Sequence, residues 1–127
     1  MPRTAPMQQK MDKPLVLAKA VINTATYLDL PKGKLARVLG LSAATITRLY
    51  ANSYQLSPDK KEWEFAVLLV RLFRSLDSIV GGSMDDARKW LAGENAAFAG
   101  KKPADLIEST EGMVRVVTYL DACRAVV

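Results

Sequence analysis

Apolar residues return every three or four positions through most of the chain, and the rhythm stops where helix-ending residues stand. Leu15, Leu17, Ala18, Val21, Ile22, Ala25 and Leu28 share one side of a helix over residues 14 to about 28. Pro14 suits its first turn, where a missing N–H costs nothing. Asp29-Leu30-Pro31-Lys32-Gly33 interrupts that helix, and a short one follows with Leu35, Ala36 and Leu39 on one face and Gly40 as its stop. Ser42 stands at an N-cap position, so a third helix runs from 43 to about 51. Ser57-Pro58-Asp59 reads as a cap with proline at the first helical position, opening a long helix to about 80. In that helix Phe65, Ala66, Leu69, Leu72, Phe73, Leu76 and Val80 form one stripe and Trp63, Val67 and Val70 a second, which predicts a central element.

Gly81-Gly82 ends the long helix, and Ser83 with Asp85 and Asp86 starts another whose buried side is Trp90 and Leu91 and whose stop is Gly93. One helical turn over 95–99, a basic bend at Gly100-Lys101-Lys102-Pro103 and a short helix over 104–108 come next. The last helix covers about 111 to 126, with Met113, Val116, Val117, Leu120 and Cys123 on one side. No strand-like alternation, internal repeat or low-complexity run interrupts this order, so the fold class is all-α. Residues 1–13, with two prolines and no periodicity, read as a flexible tail.

Residues 35–49 have the form of a helix-turn-helix: Ala36 is small where two helices cross, Gly40 permits the turn, and Leu41, Ile46 and Leu49 close a small core beneath. Charge agrees with that placement. The net charge is +5, but residues 1–50 hold eight Lys or Arg against two Asp, and residues 51–127 hold ten against eleven Asp or Glu. A polyanion would therefore meet the first half. Lys32, Lys34, Arg37 and Arg48 are candidates for phosphate contacts, with Thr45 and Thr47 facing the groove. Ala43 and Ala44 offer only methyl contacts, so base readout is poor, and a motif kept as a folding unit or dimer surface is the competing reading.

The chain has no histidine and a single cysteine, Cys123, which removes His-containing catalytic triads, Cys-His pairs and the usual zinc sites. No catalytic residue, metal site or cofactor is expected, and Cys123 reads as packing. No apolar run approaches the roughly 20 residues of a membrane span, and Lys19 breaks the one early apolar stretch too soon for a secretion signal. These features predict a soluble cytoplasmic protein that is not an enzyme.

In the second half Trp90-Leu91 is followed by Asn95, by Lys102-Pro103-Ala104-Asp105-Leu106, by Glu111-Gly112 and by the helical run from Val114 to Cys123. With the helix-turn-helix and the long helix, this order resembles the Xre/MbcA/ParS-type antitoxins, whose partners are RES-domain toxins, from about residue 15 onward. Glu94 departs from the proline that the family often carries before the asparagine, which bears on the local bend. The resemblance implies an N-terminal helix-turn-helix module (14–56), for DNA binding or dimerisation, packed on a C-terminal helical toxin-binding domain (57–127). It implies an antitoxin that silences an NAD-consuming RES-domain toxin by occupying its active-site mouth, and repression of its own operon. A homodimer within a hetero-oligomeric toxin-antitoxin complex, with operator DNA as a second partner, belongs to the same expectation. The alternative is a stand-alone helix-turn-helix regulator.

The end of the chain is unusual on its own terms, because Ala125-Val126-Val127 is apolar where chain ends are ordinarily polar. A carboxylate there adds to the negative end of the helix dipole and calls for a cation, Arg124 or a partner's arginine. The expectation is that Asp121, Arg124, Ala125, Val126 and Val127 enter the toxin's NAD pocket; the competing reading folds this turn back onto the long helix. Lys101 and Lys102 reach acidic toxin residues or are ordinary surface charges, and Trp90 is core or an interface anchor.

Overall fold

A computed structural model describes residues 12–126, apart from the side chain of Val126; residues 1–11 of the expected tail and Val127 lie outside the described residues. Seven α-helices and one 3-10 turn make up the described chain, with no named strand among these residues.

Helix α1 (Lys13–Tyr27) begins before Pro14 because Asp12 caps it, its carboxylate accepting from the Leu15 amide at 3.2 Å. Asp12 and Lys13 thus belong to the helix start rather than to the tail. Helix α2 (Lys32–Leu39) ends at Gly40, whose φ of +72° is the left-handed conformation that closes helices without a Cβ penalty. Helix α3 (Ala43–Tyr50) starts where expected, with the Ser42 hydroxyl accepting from the Thr45 amide at 3.1 Å. Leu35, Leu39, Ile46 and Leu49 are buried between α2 and α3, as the helix-turn-helix pattern requires, and Leu41 is half-buried.

Helix α4 is Lys61–Ile79, three residues shorter at its start than Pro58 suggested. The reason is Glu62. Its buried carboxylate turns back to accept from the Ser57 amide at 3.0 Å and from the Tyr54 hydroxyl at 2.7 Å, while the Lys60 amide bonds the Ser57 carbonyl. Ser57, Pro58 and Asp59 are thereby spent on a turn outside the helix. The hydrogen bond to Glu62 pushes the Tyr54 phenol up to about 12.

Ala66, Leu69, Leu72 and Leu76 of α4 are fully buried, and burying each large side chain is worth roughly 1.5–3 kcal/mol. α4 packs on α1, α2, α7 (Thr110–Val126) and α5 (Met84–Ala92), the last introduced by the Ser83 cap. α7 runs beside α4 in the same direction: Thr110 and Val114 share a groove with the start of α4, and Asp121 meets Ser75 near its end. The predicted second stripe of α4 does not sink into the core, since Val67 is 44% exposed while Trp63 and Val70 are half-buried.

Between α5 and α7 the chain is folded by the signature residues. The Asn95 side chain accepts from the Ala97 amide at 2.9 Å, its own amide bonds the Lys101 carbonyl, and its carbonyl accepts from the Gly100 amide. This closes the bend over the 3-10 turn Ala96–Phe98 with Glu94 in place, and α6 (Pro103–Leu106) follows. Gly112 is needed for space. A Cβ there would lie 1.9 Å from the Leu106 carbonyl oxygen, so α6 and α7 can approach only over a glycine.

Polar contacts lock the first helices to the later ones. Arg88 of α5 donates to the Tyr27 carbonyl at 2.9 Å and the Thr26 carbonyl at 3.1 Å, placing a cation on the negative end of α1. The Tyr27 hydroxyl lies 3.1 Å from the Asp77 carboxylate and 2.9 Å from the Gly82 carbonyl. Glu108, just after α6, pairs with Lys34 and with Arg37 at 3.1 Å, both on α2, and Lys34 also bonds the Ala104 carbonyl. The hydrogen bond from Lys34 chiefly, with the charges of Lys34 and Arg37, holds the Glu108 carboxyl below its ordinary range against the effect of burial.

Two outcomes follow from this packing. Gly112→Ala destabilises the chain by about 2–3 kcal/mol in urea unfolding, the cost of an overpacked contact against backbone, whereas Ala97→Gly, at an exposed position, changes stability by less than about 1 kcal/mol. Because Glu108 has a lowered pKa in the folded chain, its contribution is complete above the unfolded value, near 4.5, and is lost as pH falls through the folded one. Glu108→Gln therefore lowers stability by roughly 0.5–1 kcal/mol at pH 7, and its difference from wild type closes as pH falls through the folded value; a difference that persists unchanged into acid would refute the ion-pair account.

Candidate functional site

The helix-turn-helix presents one surface of α3. Ala43, Ala44, Thr47 and Arg48 are exposed there, and Thr45 is half-buried. The hydroxyls are engaged locally: Thr45 accepts from Ser42 at 2.9 Å and from Arg48 at 3.2 Å, and Thr47 donates to the Ala43 carbonyl at 3.0 Å. Lys32 stands 4.8 Å over the Tyr50 ring, a cation–π contact that holds the start of α2 to the end of α3. Thr45, Thr47 and Arg48 thus lie on one short helix, with Lys32 across from its end. Lys34 and Arg37 sit elsewhere, on the seam with Glu108. The Lys34 side chain is only 12% exposed and spent on Glu108 and Ala104, whereas Arg37 keeps 61% of its side-chain surface.

At the other end of the molecule, Asp121 is the fixing point of α7. One carboxylate oxygen accepts from the buried Ser75 hydroxyl at 2.8 Å and the other pairs with Arg71, both on α4. Arg124 lies one turn further, its guanidinium 3.5 Å from the same hydroxyl. Up to Asp121 the helix is core, with Met113, Val116, Val117 and Leu120 buried; beyond it Arg124 and Ala125 are exposed. Val126 closes the helix, its side chain and Val127 being outside the described residues. Asp121 thus folds back onto α4, and of the following turn Arg124 reaches the same Ser75 hydroxyl while it and Ala125 remain exposed.

Lys101 and Lys102 are both exposed at the bend before α6, beside Glu94 and Asp105. Among the described residues no hydrogen bond or ion pair joins them to the last turn of α7.

An aromatic cluster went unnoticed in the sequence. Trp90 stacks on Tyr119 with centroids 6.4 Å apart, and Phe98 meets both rings edge-on at 6.2 and 5.1 Å. Arg115 reaches to 5.5 Å from the Phe98 ring. Phe98 is buried while Tyr119 remains 36% exposed, so Trp90 is neither wholly core nor wholly surface. A hydrogen bond with Cys123, one turn on, raises the Tyr119 phenol above its ordinary value. Among the described residues no three metal-ligating side chains cluster, and no helix is long and apolar enough to cross a membrane.

No curated protein matches the chain in sequence. Among solved structures, it is similar to a chain of the M. tuberculosis MbcT-MbcA toxin-antitoxin complex, with 25% identity, a TM-score of 0.66, and coverage of 88% of this chain and 96% of that one. Residues 75–125, which contain Trp90, Asn95, Gly112 and Asp121, match the family model of the antitoxin Xre/MbcA/ParS C-terminal toxin-binding domain. Residues 8–71, which contain α1 to α3 and the first half of α4, match that of the antitoxin Xre-like helix-turn-helix domain. With both domain models met in this order on one all-helical fold, the chain belongs to the Xre/MbcA/ParS family of antitoxins.

Proposed function

We propose that this antitoxin neutralises a RES-domain, NAD-consuming toxin in the cytoplasm by placing the last turn of α7 in the toxin's NAD pocket. The observation that carries the reading is the division of α7 at Asp121. The helix is anchored to α4 by Ser75 and Arg71, and from that anchor an exposed turn with Arg124 and Ala125 leads on. A rigidly mounted tip loses little freedom on entering a cleft. Support also comes from the similarity to a chain of the MbcT-MbcA complex and from the toxin-binding domain match, which runs through Ala125. Occlusion requires a shape that fits the pocket and no chemistry, which agrees with a chain lacking histidine. Transfer of ADP-ribose and NAD hydrolysis or phosphorolysis by the toxin are all blocked in the same way. Lys101 and Lys102, exposed within the same domain, serve as secondary contacts to acidic toxin residues.

A second role, repression of the antitoxin's own operon, is favoured by the exposed face of α3 and the basic first half of the chain. Lys32 and Arg48 supply phosphate contacts there, Arg37 adds one from its exposed side chain on the seam with Glu108, and Ala43, Ala44, Thr45 and Thr47 limit base readout to weak apolar contacts. Lys34, held by Glu108, orients the motif rather than touching DNA. A homodimer within the hetero-oligomeric complex would double these contacts over paired half-sites.

Removing Val126 and Val127 leaves a chain with unchanged melting temperature that no longer suppresses NAD loss in cells expressing the toxin encoded beside it. Protection retained by the truncated chain would refute occlusion by the tip. Arg48→Ala weakens binding to operator DNA similarly across sequences and reduces the slope of log affinity against log salt by about one; a chain that binds the operator but protects no cell would instead be a stand-alone regulator.

A further inference from the structure

Where the first half of the chain meets the second, a cleft of about 330 Å³ opens between the loop joining α1 to α2, α2 itself, α5 and the start of α6. Leu28, Leu30 and Leu91 line it and are buried, so its depth is apolar. Its charged residues are three cations, Lys34, Arg37 and Arg88, and one acid, Asp29. Lys34 is spent on Glu108 and the Ala104 carbonyl. The two guanidiniums are not. Arg88 is tethered through Nε to the Tyr27 carbonyl at 2.9 Å and through one Nη to the Thr26 carbonyl at 3.1 Å, and Arg37 through Nε to Glu108 at 3.1 Å. Among the described residues nothing bonds the other Nη of Arg88, either Nη of Arg37 or the exposed carboxylate of Asp29.

We propose that this cleft binds a nucleoside monophosphate. A guanidinium matches the oxygens of a phosphate with a fork of N–H groups, and two of them lining one cleft, each already tethered at Nε, lose little freedom in doing so. The Asp29 carboxylate is an acceptor for sugar hydroxyls, the part an acid plays toward ribose in nucleotide sites. Leu28, Leu30 and Leu91 offer a base apolar surface out of water. The volume lies near the lower end of the range for small-molecule sites, about 300–1,000 Å³, which suits one nucleotide better than a dinucleotide. Inorganic phosphate satisfies the guanidiniums alone and a nucleoside only the leucines and Asp29, so the complete set of partners selects a molecule carrying all three parts. Duplex DNA is a poorer occupant, because its bases are stacked inside the helix and cannot reach the apolar depth. Glu108 stays in place, since the ligand uses the Nη atoms of Arg37 that it leaves free. The bound nucleotide joins α2 to α5 across the seam and so stabilises the folded chain. Neither a toxin nor operator DNA takes part in this binding.

The test is titration calorimetry of the purified full chain with AMP and, in parallel, with adenosine and inorganic phosphate. AMP is expected to bind once per chain and to raise the melting temperature, with adenosine and phosphate each bound about tenfold more weakly or worse. Arg37→Ala is expected to weaken AMP by about tenfold or more, the loss of hydrogen bonds to a charged group. Ala92→Leu, at an exposed position lining the cleft, fills the space and blocks AMP with helicity unchanged, which separates occupancy of the cleft from any effect on folding. Arg48→Ala, on the α3 face, leaves AMP binding as in wild type. Wild type that does not saturate at millimolar AMP, inorganic phosphate bound as tightly as AMP, or AMP binding undiminished by Arg37→Ala or by Ala92→Leu overturns the proposal. Loss of AMP binding in Arg48→Ala overturns it too, since the nucleotide would then sit on the helix-turn-helix face.

Discussion

Leu69, Leu72 and Leu76 have no exposed surface, and no single neighbour covers them: α1 and α2 close on α4 from one half of the chain, α5 and α7 from the other. A helix of 19 residues spans both matched domains, so neither half completes its core without it. The helix-turn-helix and the toxin-binding region are consequently built on a shared element rather than joined by a linker. Whatever shifts α4 shifts both surfaces.

Charge reinforces that arrangement where apolar packing thins out. Arg88 on the carbonyl end of α1, Glu108 between Lys34 and Arg37, and Asp121 between Ser75 and Arg71 each connect segments far apart in sequence. Individually such surface-edge pairs contribute little. Their value is directional: each allows one relative placement of the two helices it joins, whereas apolar contact tolerates sliding. Lys34 and Arg37 illustrate the cost, because a cation that fixes a seam is less free for a phosphate.

Features governed by neighbours in sequence were legible from the residues alone. Ser42, Ser83 and Gly40 act within one turn, and each ends or begins a helix where its chemistry requires. The start of α4 was misplaced for an equally local pattern, since Ser57-Pro58-Asp59 is a good cap until the carboxylate of Glu62 claims the Ser57 amide. Local preference was real there and lost to a buried acid that needed partners. The tertiary seam was not legible, because nothing in the vicinity of Lys34 announces Glu108, and basic residues beside a helix-turn-helix read naturally as phosphate contacts. Trp90 and Tyr119 share the same obstacle: their stacking depends on how the bend held by Asn95 returns the chain. The exposure of Val67 could not be read either, since a hydrophobic stripe looks the same in sequence whether or not a neighbouring element covers it.

The plan of α7 explains how one helix serves both structure and recognition. Gly112 lets it start against the Leu106 carbonyl, the run from Met113 to Leu120 supplies apolar burial, and Asp121 fixes its direction through Ser75 and Arg71. Most of the stabilising contacts therefore precede the last turn. Beyond Asp121, Cys123 is half-buried beside Tyr119 and Arg124 reaches Ser75, while Ala122 and Ala125 are exposed. The last turn thus carries less of the fold than the helix behind it, whose direction Asp121 fixes.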